Sequence, residues 1–470
     1  MKSVPAIYLS LVLLVATDPV WAAMRKAPYV IYAGTNTEME VHWQLTTIAT
    51  CTLDWGIDTS YSMGTDQTQE YGNDHQHLYT VPGLMPGSKY YYRVTSNQQR
   101  FTGSFRAAPA DGATDLKFMA YGDTRSYPAT HDTVANAMVT TFRNDSSYQS
   151  LVISGGDLVA DGNTESYWDN EFFNPAYTHI QSLLANLPYQ CCMGNHEGTG
   201  SLFAKYFPYP YIASHYWSFD YGPAHFAVLD QYTSYGPGSA ELIWLANDLA
   251  TSSASWKFVV LHEPGWSAGG GHENNVNVQN YIQPLCERYG VSIVFGGHNH
   301  YYARAVVNNV QQITTGGGGA PLYTPNSSYP NIVTTSRTHH FCKVAIDGNL
   351  LHFTAITSSG AVIDTFSMTR PLSYVAGQTA PNPSKFDLSP AFPNPFNPCT
   401  EIQYDLSKAE HTSLRVFDLL GREVAVLKDG FVEAGSHRVM FDGSNLASGT
   451  YFARLEAGKL SQTTKLMLLK

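Results

Sequence analysis

Charge is scarce in this sequence of 470 residues: Asp, Glu, Lys and Arg together supply 14% of it. What charge there is leans acidic, with a formal net charge of -11, so the basic face that a general nucleic-acid binder needs is missing. No nucleic-acid partner is expected. Cysteine is sparse too. Cys51, Cys191, Cys192, Cys286, Cys342 and Cys399 are scattered, and none lies in a Cys-x-x-Cys pair, which argues against a thiolate zinc site. Their pairing is left open, and burial as apolar side chains is expected for at least one of the adjacent Cys191 and Cys192. Long apolar runs are absent beyond the N-terminus: no segment reaches the roughly 20 residues that span a bilayer, so no transmembrane segment is expected.

The first residues read as a targeting segment. Lys2 gives a positive start, Ile7 to Ala16 is nearly unbroken apolar sequence, and Trp21-Ala22-Ala23 offers small residues for cleavage, so 1–23 is taken as a signal peptide. What remains is rich in apolar residues (43% of the chain), aromatics (13%) and glycine (38 residues). The length exceeds what one core usually supports, so several domains are expected.

Three textures follow. In 28–109, short alternating runs such as Val41-His42-Trp43-Gln44-Leu45, Cys51-Thr52-Leu53-Asp54-Trp55 and Tyr90-Tyr91-Tyr92-Arg93-Val94 predict an immunoglobulin- or fibronectin-like sandwich, with Trp43 and Trp55 as core anchors. In 115–368, apolar runs end abruptly at polar tips, and helical spacing appears at Asp132 to Phe142, Glu241 to Leu249 and Val278 to Tyr289. Continuous apolar strands imply covering helices, so this segment is α/β, with ligands gathering at the strand C-terminal ends. A proline-bearing stretch, 370–385, reads as a linker. Alternation resumes in 386–470, where glycines mark the turns of a second β-sandwich.

The chemistry sits in the middle segment. Five apolar runs end in Gly122-Asp123-Thr124-Arg125, Gly156-Asp157, Gly194-Asn195-His196-Glu197, Leu261-His262 and Gly297-His298-Asn299-His300. Each glycine is expected to let the chain turn so that the next side chain enters a shared cleft. Carboxylate, amide and imidazole together suit zinc, manganese or iron. One shared carboxylate can bridge two cations roughly 3.5–4 Å apart.

This order of motifs resembles the calcineurin-like metallophosphoesterases, and among them the purple acid phosphatases, whose catalytic domain also follows a fibronectin-like one. The resemblance spans roughly residues 28–366. It implies a four-layer αββα catalytic domain and two divalent or trivalent metal ions (Fe, Mn or Zn). Asp123, Asp157 and His300 would hold one ion; Asp157, Asn195, His262 and His298 would hold the other, with Asp157 bridging. By the same resemblance His196 contacts the phosphate and helps to protonate the leaving group, and His272 is a further catalytic histidine. A metal-held hydroxide would then attack phosphorus in line.

Two departures stand out. The purple acid phosphatases carry a tyrosine three residues after the bridging aspartate, where this chain has Ala160; the tyrosinate colour should be missing. Arg125 occupies a position usually held by glycine or histidine, and its planar fork suits phosphate oxygens. The last segment, from Phe392-Pro393-Asn394-Pro395 to the closing Lys470, resembles a type IX secretion sorting domain. That likeness implies the type IX machinery as a partner and a secreted or cell-surface location. The expected activity is hydrolysis of a phosphorylated small molecule, a phosphate monoester. The alternatives are a phosphodiesterase of nucleotides or phospholipids, or a non-enzymatic surface binding module.

Overall fold

Short alternating runs near the N-terminus form seven antiparallel strands: β1 (Met24–Tyr32), β2 (Met39–Leu45), β3 (Cys51–Gly56), β4 (Gly64–Thr68), β5 (Gln76–Val81), β6 (Lys89–Ser96) and β7 (Gln99–Arg106). They pair as two sheets, β1-β2-β5 and β4-β3-β6-β7. Trp43, Leu53, Trp55, Tyr92 and Phe105 fill the space between them, which accounts for both tryptophans as core residues. The computed structural model describes residues 22–72, 74–209, 215–370 and 385–470. The expected signal peptide lies outside the described residues apart from Ala22 and Ala23, and the expected linker apart from Arg370 and Lys385.

The middle segment builds two larger sheets. The first has the order β10-β9-β8-β18-β19-β20. Its strands are β8 (Asp115–Tyr121), β9 (Leu151–Ser154), β10 (Tyr189–Cys191), β18 (His340–Asp347), β19 (Leu350–Thr357) and β20 (Val362–Thr369). The second has the order β11-β12-β13-β14-β16-β15-β17. It contains β11 (Trp217–Tyr221), β12 (Ala224–Val228), β13 (Trp256–Val260), β14 (Val291–Gly296), β15 (Tyr302–Val307), β16 (Val310–Thr315) and β17 (Ile332–Ser336). Strands β8, β9 and β10 run parallel, as do β12, β13, β14 and β16. Their C-terminal ends therefore open on one side of the molecule.

Alternation along these strands explains the layering. Phe226, Phe258 and Phe295 point inward and meet Phe118 of the opposite sheet edge-on, with ring centroids 5.3, 5.3 and 6.2 Å away. Their neighbours Ala227, Val259 and Val294 face outward and pack with Leu242, Leu245 and Leu249 of the helix Ala240–Thr251 and with Leu285. On the other side, helices Pro128–Asn144 and Thr178–Asn186 bury Val134, Met138, Ile180 and Leu183 in the core shared by the two sheets. The order is helix, sheet, sheet, helix: strands β9, β12, β14 and β16 are buried on both faces, which is why the sequence shows unbroken apolar runs there, whereas β17 and β20 stay partly exposed.

The C-terminal residues form a three-stranded and a four-stranded sheet around Ile402, Leu414, Val416, Ala453 and Leu466. Glu401 ties this unit to the central layers by accepting from Arg288 Nη2 (3.0 Å) and from the Tyr289 hydroxyl (3.2 Å). All six cysteines are free thiols; five are buried, Cys191 and Cys192 among them.

Candidate metal centre

Every one of the five motifs follows directly on a strand of the two central sheets. Asp123 comes two residues after β8, Asp157 three after β9, Asn195 four after β10, His262 two after β13 and His298 two after β14. Because those strands are parallel neighbours, their tips converge.

Local geometry differs from the sequence expectation in one respect. The left-handed turn falls on the functional residues themselves, with φ of +56° at Asp123, +55° at Asp157 and +66° at His298, and among the motif glycines on Gly156 alone (+86°). Non-glycine residues held there carry strain of the kind found at functional sites. Two of the motif glycines serve close approach instead. A Cβ at Gly194 would lie 2.2 Å from Asp157 Oδ1, and one at Gly297 would lie 2.3 Å from Asp123 Oδ2.

The donor atoms meet in a buried cluster. Asp123, Asp157, His262 and His300 are each no more than 1% exposed. Ligand atoms of Asp123, Asp157 and His300 all lie within 4.8 Å of one another. On the other flank, His262 Nε2 is 3.4 Å from Asp157 Oδ1 and 3.0 Å from Asn195 Oδ1. His298 Nδ1 is 3.0 Å from that same amide oxygen and 3.1 Å from His262 Nε2.

Backbone carbonyls fix the imidazoles. His262 donates from Nδ1 to Gly155 O at 2.6 Å, and His300 from Nδ1 to Pro321 O at 2.7 Å. Each is left with its Nε2 lone pair aimed into the cluster, the tautomer a metal-binding histidine needs. Lone pairs of amide, imidazole and carboxylate thus face one another at about hydrogen-bond distance, with too few protons among them. Such a donor set fits a cation, and the chemistry of two carboxylates, an amide and three imidazoles fits borderline metals.

Charges are shifted accordingly. Burial would lower the His262 pKa, but the Asp157 and Asp123 carboxylates outweigh it and raise it. Burial, then the neighbouring His262 and His272, push His298 down to about 2. Burial, then His300 and His262, also lower His272. Its ring stacks on His298, with centroids 3.8 Å apart.

Arg125 reaches the same carboxylate. Its Nε donates to Asp157 Oδ2 at 3.2 Å, and its Nη2 lies 3.3 Å from His300 Nε2. His196 donates from Nδ1 to Ala160 O at 2.6 Å, which turns its Nε2 toward Asp157 Oδ2, 3.9 Å away. All nine residues singled out in the sequence are thus brought into one constellation.

Several supporting residues carried no assigned role in the sequence. Glu197, fully buried, accepts from the amides of Asp157 (3.0 Å), Gly194 (2.6 Å) and Leu158 (2.8 Å). Burial and then the Asp157 carboxylate push its pKa up to about 7. Asn299, between the two histidines of its motif, holds the loop of His272: it accepts from His272 N at 2.8 Å and donates to His272 O at 3.1 Å. Gly270, in the loop before His272, packs so closely that a Cβ would lie 1.9 Å from Thr324 O. Tyr323 stacks on His300 with centroids 4.2 Å apart. The positions of Glu197 inside the Gly-Asn-His-Glu motif and of Asn299 inside the Gly-His-Asn-His motif were the sequence signals among these.

Residues 116–302 match the calcineurin-like phosphoesterase family. Residues 390–469 match the secretion system C-terminal sorting domain. Within the phosphoesterases the likeness is to purple acid phosphatases. Purple acid phosphatase 15 of Arabidopsis thaliana is 26% identical over 262 residues, covering 49% of each chain. The chain spans about half the length of the curated relatives it matches. Among solved structures, purple acid phosphatase PPD1 from yellow lupin (Lupinus luteus) seeds superposes with a TM-score of 0.59 at 20% identity, over 73% of this chain and 75% of that one. PhoD superposes with a TM-score of 0.57 at 14% identity, over 78% and 94%. At those identities the structures share the fold.

Proposed function

We propose that the chain hydrolyses phosphate monoesters outside the cytoplasm, using two cations held by Asp123, Asp157, Asn195, His262, His298 and His300. One observation carries this reading: the two oxygens of the buried Asp157 face different partners, Oδ1 toward His262 and Oδ2 toward Arg125. A carboxylate so placed is suited to be shared between a set with Asp123 and His300 and a set with Asn195, His262 and His298. When bound, such a cation pair makes water acidic enough to act as a nucleophile near neutral pH and neutralises phosphate oxygens.

The chain's own residues do the rest. Arg125 offers a guanidinium fork beside Asp157, where a phosphate oxygen is a natural acceptor. His196 keeps Nδ1 on Ala160 O, so that in its protonated form Nε2–H is free for the departing alkoxide. Its side chain is partly open to solvent, as a proton donor at a cleft mouth must be. His272, whose ring stacks on His298, stands beside the ligand set where it can contact the substrate. Ala160 leaves no phenolate at the tyrosinate position, so the metal-loaded protein should lack the purple absorption. A C-terminal sorting domain supports export to the surface or medium through the type IX machinery.

With two cations bound, a dianionic monoester would suit this site better than a monoanionic diester. The test compares p-nitrophenyl phosphate with bis(p-nitrophenyl) phosphate after metal reconstitution. The monoester should turn over at least about tenfold faster, a difference of about 1.4 kcal/mol in barrier. A faster diester would make the chain a phosphodiesterase, and turnover of neither would overturn the proposal.

A further inference from the structure

We propose that Glu171 is a positioning residue that locks Arg125 and His196 into register with each other, an inference that rests on the phosphoesterase reading above. The two side chains stand on different loops, one after β8 and one after β10, and no hydrogen bond between their side chains is seen among the described residues. Something must fix their relative placement, because a phosphate held by one must present its leaving group to the other.

Glu171 lies within the helical turn Trp168–Phe172 and is 8% exposed. One of its oxygens, Oε2, accepts from two backbone amides at once: Ser126 N at 2.9 Å and Ala160 N at 2.8 Å. Ser126 follows Arg125 directly, has φ of +73°, and its hydroxyl accepts from Arg125 Nη1 at 3.2 Å. Ala160 is the residue whose carbonyl oxygen fixes the His196 ring. A single carboxylate oxygen therefore pins the Arg125 tip and the peptide that orients His196 to the same point.

The division of labour with Glu197 is clean. Glu197 holds the first part of the 157–162 loop, at Asp157 and Leu158, where the carboxylate of the metal cluster stands. Glu171 holds the part beyond it. The turn bearing Glu171 is itself anchored: Trp168 is fully buried and donates from its indole to Gly162 O at 3.1 Å. Asp169 and Glu165 receive the buried Lys26 ammonium from β1, at 2.6 and 2.9 Å. That ammonium also donates to Gln44 at 2.8 Å, so the N-terminal sheets brace the element that braces the site.

Geometry makes the prediction sharp. Both amides share one oxygen, so a glutamine, which keeps one carbonyl oxygen, can replace the carboxylate, whereas leucine removes both bonds. Aspartate, one methylene shorter, withdraws the oxygen from both amides. The experiment measures kcat and KM on p-nitrophenyl phosphate, metal content and backbone amide exchange for E171Q, E171D and E171L. E171Q is expected within a few-fold of wild type. E171D and E171L should keep their metal but lose roughly 10- to 100-fold in kcat/KM, with faster exchange in the segments carrying Ser126 and Ala160.

Wild-type kinetics and unchanged exchange in E171D or E171L would overturn the proposal, as would an E171Q as impaired as E171D. Should E171L fail to fold, E171D against E171Q decides the matter alone. If the wild-type protein turned over no phosphoester, the functional reading would fail, while the exchange comparison would still report whether Glu171 pins the two loops.

Discussion

Asp157→Asn should cost at least about a thousandfold in turnover and strip the protein of at least one of the two metal equivalents proposed for it. The substitution is nearly isosteric, and the backbone of Asp157 stays tied to Glu197, so the fold should survive. What changes is charge and donor count. One anionic oxygen becomes an NH2 group, which must point either at His262 Nε2 or at the Arg125 guanidinium, and neither direction then offers a carboxylate lone pair. Losing a shared anionic ligand removes several kcal/mol of charge stabilisation, and a thousandfold corresponds to about 4 kcal/mol. Kinetics with metal analysis on the same preparation checks it. Full activity in Asp157→Asn would refute the bridging assignment.

The second large effect concerns Glu197, which touches no metal-facing atom. Its two oxygens take three backbone amides, from Asp157, Leu158 and Gly194, in a fully buried setting. Glu197→Ala orphans all three donors. Each buried donor left unpaired costs about 1–3 kcal/mol, so a loss of roughly 3 kcal/mol or more is expected, against a total stability of only about 5–15 kcal/mol. Thermal denaturation should register a fall of roughly 6 °C or more, together with weakened metal binding, because the peptides carrying Asp157 and Asn195 are released. Glutamine should not rescue this site: both oxygens are in use, and an amide NH2 would face an N–H. The opposite result is expected at Glu171, where one oxygen suffices. A Glu197→Ala protein with wild-type melting and metal content would contradict this account.

How far the sequence alone reached can be read from these residues. Asp123, Asp157, Asn195, His262, His298 and His300 were legible because each closes an apolar run, and parallel strands carry their tips to one edge. The layers were legible for a related reason: strands buried on both faces, such as Phe258-Val259-Val260, show no polar alternation. Glu171 and Tyr323 were not legible as site residues. Glu171 acts on amides 45 and 11 positions away, and no local pattern encodes such a contact. Backbone conformation was also hidden. The glycines advertised the turns, yet apart from Gly156 positive φ settled on Asp123, Asp157 and His298, because the surrounding layers hold them there. His272 was found only through the family resemblance, and its stacking on His298 and its lowered pKa depend on rings contributed by other loops. Among the N-terminal strands, β2, β3 and β6 declared themselves by alternation. β1 did not: it contains the buried, ion-paired Lys26, which no apolar pattern predicts.

Everything above turns on two cations sharing Asp157, and metal stoichiometry tests that most directly. After stripping and reconstitution with zinc, manganese or iron, the purified protein should retain about two equivalents per chain by elemental analysis. A value at or below one equivalent, with the protein folded, would contradict the account.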